Sequence, residues 1–298
     1  MEPLSDVIAL LRPHAAISKP ITARGEWGVC YEAYEQPGFA LVLDGQCWVA
    51  LGARAPVRLA RGDFVLLPAT PAFSMTSRPG AECVAARPAA TPVRHGLAGG
   101  EPDFRMLGGS FRIEPANAPL LVALLPELIH VQAADTTSLS RVVGLIRDEC
   151  EADRPGGEMI LRRLLEVMLI EALRRETISE EGSLEAGLLA GLRDPAVARA
   201  LRALHADVGR RWTVASLAQI ACLSRSAFAA RFRSTVGCAP MEYLARWRMA
   251  RARDALGRGG MPLDRLAEEV GYESASAFST AFRRRVGCAP GGFARSLQ

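Results

Sequence analysis

The sequence has little histidine and no closely spaced cysteine pair. Four histidines occur in 298 residues, and no two of them have the spacing of metal ligands. The seven cysteines include no CxxC pair, which argues against a zinc finger, and their odd number argues against a disulfide scaffold. The sequence therefore predicts neither a metal site nor a bound cofactor.

A long apolar run is also missing. The most apolar segment, residues 119–131, is interrupted by Pro126 and Glu127, and it is shorter than the roughly 20 residues that span a bilayer. No basic stretch leads into an apolar run near residue 1, as it would in a signal peptide. With 49% hydrophobic and 23% charged residues, the composition predicts a globular protein in the cytoplasm, without a membrane partner.

Positive charge is concentrated in the last third of the chain. Residues 195–298 hold 17 arginines and 7 acidic residues, a net charge of +10, so the rest carries −6 within an overall charge of +4. A basic segment beside an acidic remainder is typical of a protein in which one domain binds a polyanion. The alternative is a basic surface that contacts only water, and charge alone does not separate the two.

Residues up to about 115 have the pattern of short β-strands. Two apolar runs, 39–43 and 47–51, flank an Asp-Gly pair, which predicts a hairpin. A second hairpin is predicted between residues 57–59 and 64–67. Short strands separated by glycine and proline favour a small barrel or sandwich.

Helical periodicity begins after residue 119. Helices are predicted over residues 120–128, 138–152 and 158–175. The apolar stripes of the last two fit either a core or a dimer seam, and we favour a homodimer. Residues 177–191 are polar and contain glycine, which predicts a linker. Asp194 and Pro195 then predict the start of a new helix.

The C-terminal segment contains an internal repeat. Residues 224–240 recur as residues 274–290, at an offset of 50 throughout. Each copy opens with a serine that can cap a helix and carries two phenylalanines four residues apart. Each closes with Val-Gly-Cys-Ala-Pro, in which the glycine can end a helix. A shorter helix is predicted before each copy, at 214–221 and 263–270.

A short helix, a tight turn and a second capped helix form a helix-turn-helix, whose second helix enters the major groove of DNA. The alternative is a pair of ordinary helical hairpins, but two copies with the same caps, core and stop in a basic segment favour DNA binding. Residues 241–256 form one predicted helix, which would let both units contact adjacent grooves ~34 Å apart. Positive charge along the second helices comes from Arg231, Arg233, Arg283, Arg284 and Arg285.

The last 104 or so residues resemble the AraC/XylS family of transcription regulators. The motif lies in the second copy: Leu266-Ala267, then Val270-Gly271-Tyr272-Glu273-Ser274, then Ser276, Phe278 and Phe282-Arg283-Arg284, followed by Gly-Cys-Ala-Pro. The resemblance implies a regulator that binds double-stranded DNA, with RNA polymerase as a further partner.

The resemblance also implies that exposed positions of the two second helices contact bases. Carried over within the motif, these positions are Arg225, Ser226, Ala229, Ala230, Ala275, Ser276, Ser279 and Thr280. Better-known members often have long polar side chains at some of them, whereas three are alanine here. Readout is therefore expected from methyl contacts, hydroxyls, Arg225 and DNA shape.

Residues 24–28, 37–45 and 62–68 are similar to the cupin-like sensor domains in one branch of this family. Cupin enzymes hold a metal through histidines and a glutamate, but no histidine lies between Phe39 and Phe73. A barrel of this kind can hold one small effector. The candidates for an apolar pocket, each of which could instead be core, are Trp27, Phe39, Trp48, Phe64 and Phe73.

A rival sensor mechanism uses thiols. Cys30, Cys47 and Cys83 all fall in the N-terminal region. Redox sensing would require exposure and a thiol pKa lowered by a neighbouring cation.

We therefore predict an α+β protein of three parts. These are a cupin-like β-barrel sensor at 1–116, a helical dimerisation region and linker at 117–192, and an all-α double helix-turn-helix domain at 193–298. The predicted function is sequence-specific regulation of transcription, without enzyme activity. For the signal that modulates it, we favour a small molecule over cysteine oxidation. The alternatives are a cupin-type enzyme with an added DNA-binding domain, and a DNA-binding protein whose barrel only contacts other proteins.

Overall fold

A computed structural model describes residues 2–11, 14–34, 36–88, 91–112, 125–132, 137–152, 154–178 and 186–297. The chain forms two compact units. One unit contains the β-strands together with the helices between residues 137 and 178. The other contains a helix at the N-terminal end and the helices after residue 186.

The strands of the first unit form two sheets. In chain order they are β1 (His14–Arg24), β2 (Gly28–Tyr31), β3 (Gly38–Asp44), β4 (Gln46–Leu51), β5 (Val57–Ala60), β6 (Phe64–Leu67), β7 (Phe73–Thr76), β8 (Val84–Ala86), β9 (Val93–Gly96), β10 (Phe104–Arg112) and β11 (Ile129–Val131). One sheet has the order β11-β6-β3-β10-β1-β9 and the other β5-β4-β7-β2-β8. Both contribute apolar side chains to one core, so they form a two-layer sandwich, as expected for this region.

The predicted strands are present, but both predicted hairpins are wrong. Strands β3 and β4 flank Asp44 and Gly45, yet β3 pairs with β6 and β10, whereas β4 pairs with β5 and β7. Strands β5 and β6 likewise lie in different sheets. Both turns are corners at which the chain passes from one sheet to the other. Gly45 has φ 76°, and a Cβ there would collide with the carbonyl oxygen of Asp103, so this corner requires glycine.

Two helices complete the first unit. They are α2 (Thr137–Glu151) and α3 (Gly157–Ile178), which confirms the predictions for residues 138–152 and 158–175. Their buried apolar side chains include Ile146, Leu165 and Met168. Of the helix predicted at 120–128, residues 120–124 lie outside the described residues, and residues 125–128 are not helical.

All regular elements among the described residues of the second unit are helices. Its elements are α1 (Pro3–Leu11), α4 (Leu188–Arg193), α5 (Pro195–Ala206), α6 (Val214–Ala221), α7 (Arg225–Val236), α8 (Pro240–Arg258), α9 (Leu263–Glu269), α10 (Ala275–Val286) and α11 (Pro290–Ser296). The expectation of a β-rich N-terminal segment misses α1, which packs on α5 and α8. Asp194 caps α5 as predicted, because its Oδ1 accepts hydrogen bonds from the amides of Ala196 (3.0 Å) and Val197 (3.1 Å).

The linker predicted at 177–191 overlaps helices at both ends. Helix α3 continues to Ile178 and α4 starts at Leu188, while residues 179–185 lie outside the described part of the chain. Within that part, no helix has the length and apolarity needed to cross a membrane.

Candidate nucleic-acid interface

Two helix-turn-helix units occur in the second unit of the chain. The first consists of α6 and α7, which are joined through Cys222 in the left-handed conformation (φ 57°). The second consists of α9 and α10, whose turn contains Gly271 at φ 76°. The prediction of two helix-turn-helix units is therefore confirmed.

The same residues start and end the second helix of each unit. The Ser224 hydroxyl accepts a hydrogen bond from the Ala227 amide (3.3 Å), and Ser274 does the same for Ala277 (3.1 Å). The helices stop at Gly237 and Gly287, at φ 83° and 92°. Left-handed backbone at these ends is favourable for glycine, which carries no Cβ.

Each unit has its own aromatic core. Phe228 and Phe232 are fully buried, with ring centroids 5.6 Å apart. Phe278 and Phe282 are buried in the same way, and their centroids are 5.5 Å apart. Because these rings fix the inner face of α7 and α10, the opposite face of each helix is turned to solvent.

The predicted DNA-contact residues lie on those outer faces. None of the twelve is buried. Ala229, Ala275 and Ser279 are half-buried. The exposed ones are Arg225, Ser226, Ala230, Arg231, Arg233, Ser276, Thr280, Arg283 and Arg284. Their individual contacts with DNA stay predictions.

The arginines of these helices fall into two groups. Arg231 donates to Asp194 Oδ2 at 2.6 Å, and Arg285 donates to both carboxylate oxygens of Glu242 at 2.9 Å each. These two therefore help to hold the fold, and a phosphate would have to share Arg231 with Asp194. In the part of the chain described, no hydrogen bond or ion pair occupies the others, which are Arg225, Arg233, Arg283 and Arg284.

Helix α8 connects the two units. Its 19 residues span about 28 Å at 1.5 Å per residue. Trp247 and Tyr243 on this helix are buried, and Arg248 donates to the carbonyl oxygens of Val208 (3.1 Å) and Arg210 (2.9 Å). This anchoring makes α8 a stiff connection, as the sequence predicts.

An ion-pair network joins α8 to α10, the second helix of the second helix-turn-helix. Hydrogen bonds from Arg285 are the main cause that lowers the pKa of Glu242 to about 2, and Arg246 contributes at 3.1 Å. The carboxylate is therefore charged at neutral pH.

A cavity of about 100 Å³ lies between the two sheets of the N-terminal sandwich. Phe39 and Phe73, two of the predicted pocket residues, line it. Three of the predicted pocket residues lie outside its lining: Trp27 packs on Phe104 (5.1 Å between centroids), Phe64 packs on Phe39 (6.2 Å), and Trp48 is half-exposed.

The polar side chains of this lining were not expected from the sequence. They are Lys19, Tyr31 and Tyr34. A signal for the first was available, because Lys19 is the only lysine among the 36 basic residues of the chain.

Two of the three N-terminal cysteines, Cys47 and Cys83, have raised pKa values. Burial raises the pKa of Cys47 to about 12. Burial, followed by a hydrogen bond between its thiol and Cys30, raises the pKa of Cys83 to about 11. Cys30 and Cys83 thus lie side by side, but the shift at Cys83 opposes thiolate formation. Redox sensing stays a prediction.

Within the described residues, no group of three or more His, Cys, Asp or Glu side chains could hold a metal ion.

Comparisons with known proteins match both parts of the chain. A cupin family model matches residues 2–177, and a helix-turn-helix domain model matches residues 217–296. An AraC-like transcription regulator of Streptomyces lividans is 37% identical over 280 residues, which cover 92% of this chain and 91% of that protein. One from Streptomyces antibioticus is 36% identical over 279 residues, with 92% of each chain covered.

Among solved structures, the DNA-binding domain of AdpA in complex with a target DNA is 30% identical. The match covers 35% of this chain and 92% of that domain, with a TM-score of 0.33.

Proposed function

Because the chain belongs to the AraC-like family of DNA-binding transcription regulators, we propose that its two helix-turn-helix units bind adjacent major grooves and that its N-terminal domain adjusts this binding. The relatives are named as regulators of transcription, so the chain acts on DNA as a regulator and not as an enzyme. A regulator works where the chromosome is, so the proposal includes a cytoplasmic location.

The observation that carries the proposal is the pair of exposed helices, α7 and α10, connected by α8. Arg225 and the serine and threonine hydroxyls would contact base edges, while Arg233, Arg283 and Arg284 would contact phosphates. Their guanidinium groups have no acidic partner in the described part of the chain, so no internal ion pair has to break before DNA binds.

A small-molecule effector in the sandwich cavity is the proposed input. The cavity is lined mainly by apolar side chains from both sheets, which supports a ligand over a protein partner at this place. The rival input is oxidation of Cys30 and Cys83. The adjacency of the two thiols supports it, whereas the raised pKa of Cys83 argues against it.

The proposed assembly is a homodimer formed through α2 and α3. Four large apolar side chains on these helices are exposed to solvent: Leu145 (55%), Met159 (68%), Ile160 (49%) and Val167 (42%). Large apolar side chains exposed on two consecutive helices support an interface here. Residues 1–116, 117–192 and 193–298 would then serve sensing, dimerisation and DNA binding, and RNA polymerase would be the partner on the promoter.

Selection of bound duplexes from a random pool tests the DNA-binding part. We expect a site of two parts, one helical turn apart, with affinity that falls steeply as salt rises. Insertion of ~5 base pairs between the parts turns one half-site to the opposite side of the duplex and should abolish binding to both. Recovery of a one-part site, unaffected by the insertion, would contradict the proposal.

Arg225→Ala tests base readout within that site. If Arg225 contacts a base, affinity for the selected site falls by ~1–3 kcal/mol and the preference at one position is lost. Arg58→Ala, an exposed arginine on β5, is the matched control and should change neither. Unchanged affinity and preference in Arg225→Ala would remove this residue from the readout.

A further inference from the structure

The cavity of the N-terminal sandwich is lined mainly by apolar side chains. Its lining includes Ile21, Phe39, Leu59, Phe73 and Met106, drawn from both sheets. An apolar cavity of ~150 Å³ in another protein binds benzene, so a volume of about 100 Å³ fits a single ring or a short branched chain. A sugar or a nucleotide would leave most of its hydrogen-bonding groups unpaired against this lining.

The exception is a buried ammonium group. Alternation along β1 turns Lys19, Ile21 and Ala23 toward the interior. Lys19 is only 7% exposed, and burial lowers its pKa. Within the described residues, no hydrogen bond or ion pair connects it to a carboxylate. A buried cation without a partner is costly, which makes its presence in an apolar cavity informative.

The neighbourhood of Lys19 holds further polar groups. Burial and, second, the charge of Lys19 lower the pKa of His95, whose buried Nε2 has no hydrogen-bond partner. Tyr31 and Tyr34 place their side chains in the lining, and a hydrogen bond joins Tyr34 to Thr70. Lys19 therefore supplies a positive charge among potential donors, and no anion matches it within the described residues.

We propose that the effector is a small apolar monocarboxylate, held by an ion pair between its carboxylate and Lys19. The proposal rests on the sensor function proposed above and names the ligand class of that site. One carboxylate satisfies the ammonium group, and the tyrosine hydroxyls can donate to its oxygens. The ring or branched chain then lies among Phe39, Phe73 and Met106. A neutral hydrocarbon would leave the cation unpaired, and a dicarboxylate would bury a second charge.

Thermal unfolding of the full-length protein tests the ligand class. The probes are benzoate, phenylacetate and isovalerate, each compared with its own amide, which keeps the shape and removes the charge. We expect at least one acid to raise the unfolding midpoint in a saturable way while its amide does not. The ligand class is refuted if no acid binds or if the amides bind equally well.

Lys19→Met tests the residue, because methionine keeps most of the chain length without the charge. We expect the affinity for the effective acid to fall about tenfold or more. Loss of a buried charge should leave the protein folded, and binding of its selected DNA site checks this. The control is Arg58→Met, an outward-facing charge next to the lining residue Leu59, which should bind the acid normally. Undiminished binding by Lys19→Met would overturn the proposal.

The single lysine also permits a direct readout. An amine-reactive ester can modify only Lys19 and the α-amino group of the chain, and mass spectrometry separates the two sites. The bound acid should slow modification of Lys19 and leave the α-amino rate unchanged. Equal rates with and without the acid would contradict the ion pair.

DNA affinity measured with and without the acid separates this inference from the function it rests on. An acid that binds through Lys19 without changing DNA affinity supports the ligand class and contradicts the sensor role. A neutral compound that binds in the cavity and changes DNA affinity supports the sensor role and contradicts the ligand class.

Discussion

The carboxylate of Asp6 lies 3.1 Å from Nδ1 of His205, although 199 positions separate the two residues in the chain. The other ring nitrogen of His205 lies 2.7 Å from the hydroxyl of Tyr243. Both side chains of the first pair are buried, so α1 is attached to α5 and α8 by a polar contact as well as by apolar packing.

This contact predicts a loss of stability in mild acid. Burial lowers the pKa of His205 despite the opposing effect of Asp6. In the unfolded chain the imidazole binds a proton near pH 6.5, but in the folded chain it does so only at lower pH. The unfolded state thus binds more protons between these values, and the free energy of unfolding falls as the pH drops below about 6.5.

Urea unfolding at a series of pH values, followed by tryptophan fluorescence, measures this dependence. Trp247 is a suitable probe, because its ring lies 4.2 Å from that of His205. In His205→Gln the slope between pH 7 and pH 5.5 should become shallower. Parallel curves for the two proteins would show that His205 does not titrate during unfolding.

Adjacent arginines in α10 are predicted to have different roles. Arg284→Ala should weaken DNA binding and reduce the slope of log K against log salt by ~0.9 for a lost phosphate contact. Arg285→Ala breaks the hydrogen bonds to Glu242. Since that pair is partly exposed, it should cost ~1 kcal/mol of stability or less and leave the salt slope unchanged. Salt titrations of both variants decide the assignment, and equal slopes would reject it.

The serine caps of the two second helices are predicted to be stabilising to a similar degree. Ser224→Ala and Ser274→Ala each remove one acceptor for a free amide and should lower the free energy of unfolding by ~1 kcal/mol. Ser234→Ala is the control, since its hydroxyl bonds only to a carbonyl of its own helix. Urea unfolding monitored by far-ultraviolet circular dichroism compares the three. If Ser234→Ala is destabilised as much as the cap variants, the caps do not stabilise the helices more than any other serine does.

Thiol reactivity should follow exposure. Cys222 and Cys288 are exposed, whereas Cys47 is buried and the pKa of Cys83 is raised to about 11 by burial first and Cys30 second. N-ethylmaleimide at neutral pH should therefore modify Cys222 and Cys288 well before Cys47 and Cys83. Peptide mass spectrometry over time gives the order. Early modification of Cys83 would contradict this order and would support the redox mechanism.

The helix-turn-helix units could be predicted from sequence because their signals are local. Two phenylalanines four apart lie within a helix of 12 residues that a serine cap precedes and a glycine follows, and the repeat supplies each signal twice. The sheet pairing could not, because the turn at Asp44 and Gly45 specifies a change of direction but not which sheet the next strand joins. Helix α1 was missed for a similar reason, since the partners that bury it, such as His205, are distant in sequence.

The candidate ligand site shows the same limit. Aromatic residues suggest a pocket, but which of them line it depends on strand register: Phe39 and Phe73 line the cavity and Trp48 does not. The unusual composition was the better indicator. Among 36 basic side chains the only lysine is the buried one.

The use of arginine in place of lysine on the surface has a regulatory consequence. Cells neutralise basic surfaces by acetylating ammonium groups, and guanidinium groups do not undergo this modification. With its only lysine inside the sandwich, this protein offers acetyltransferases no side chain on its DNA-binding face. Its attraction to phosphate is thus insensitive to that modification and, since guanidinium holds its proton far above neutrality, to alkaline conditions as well.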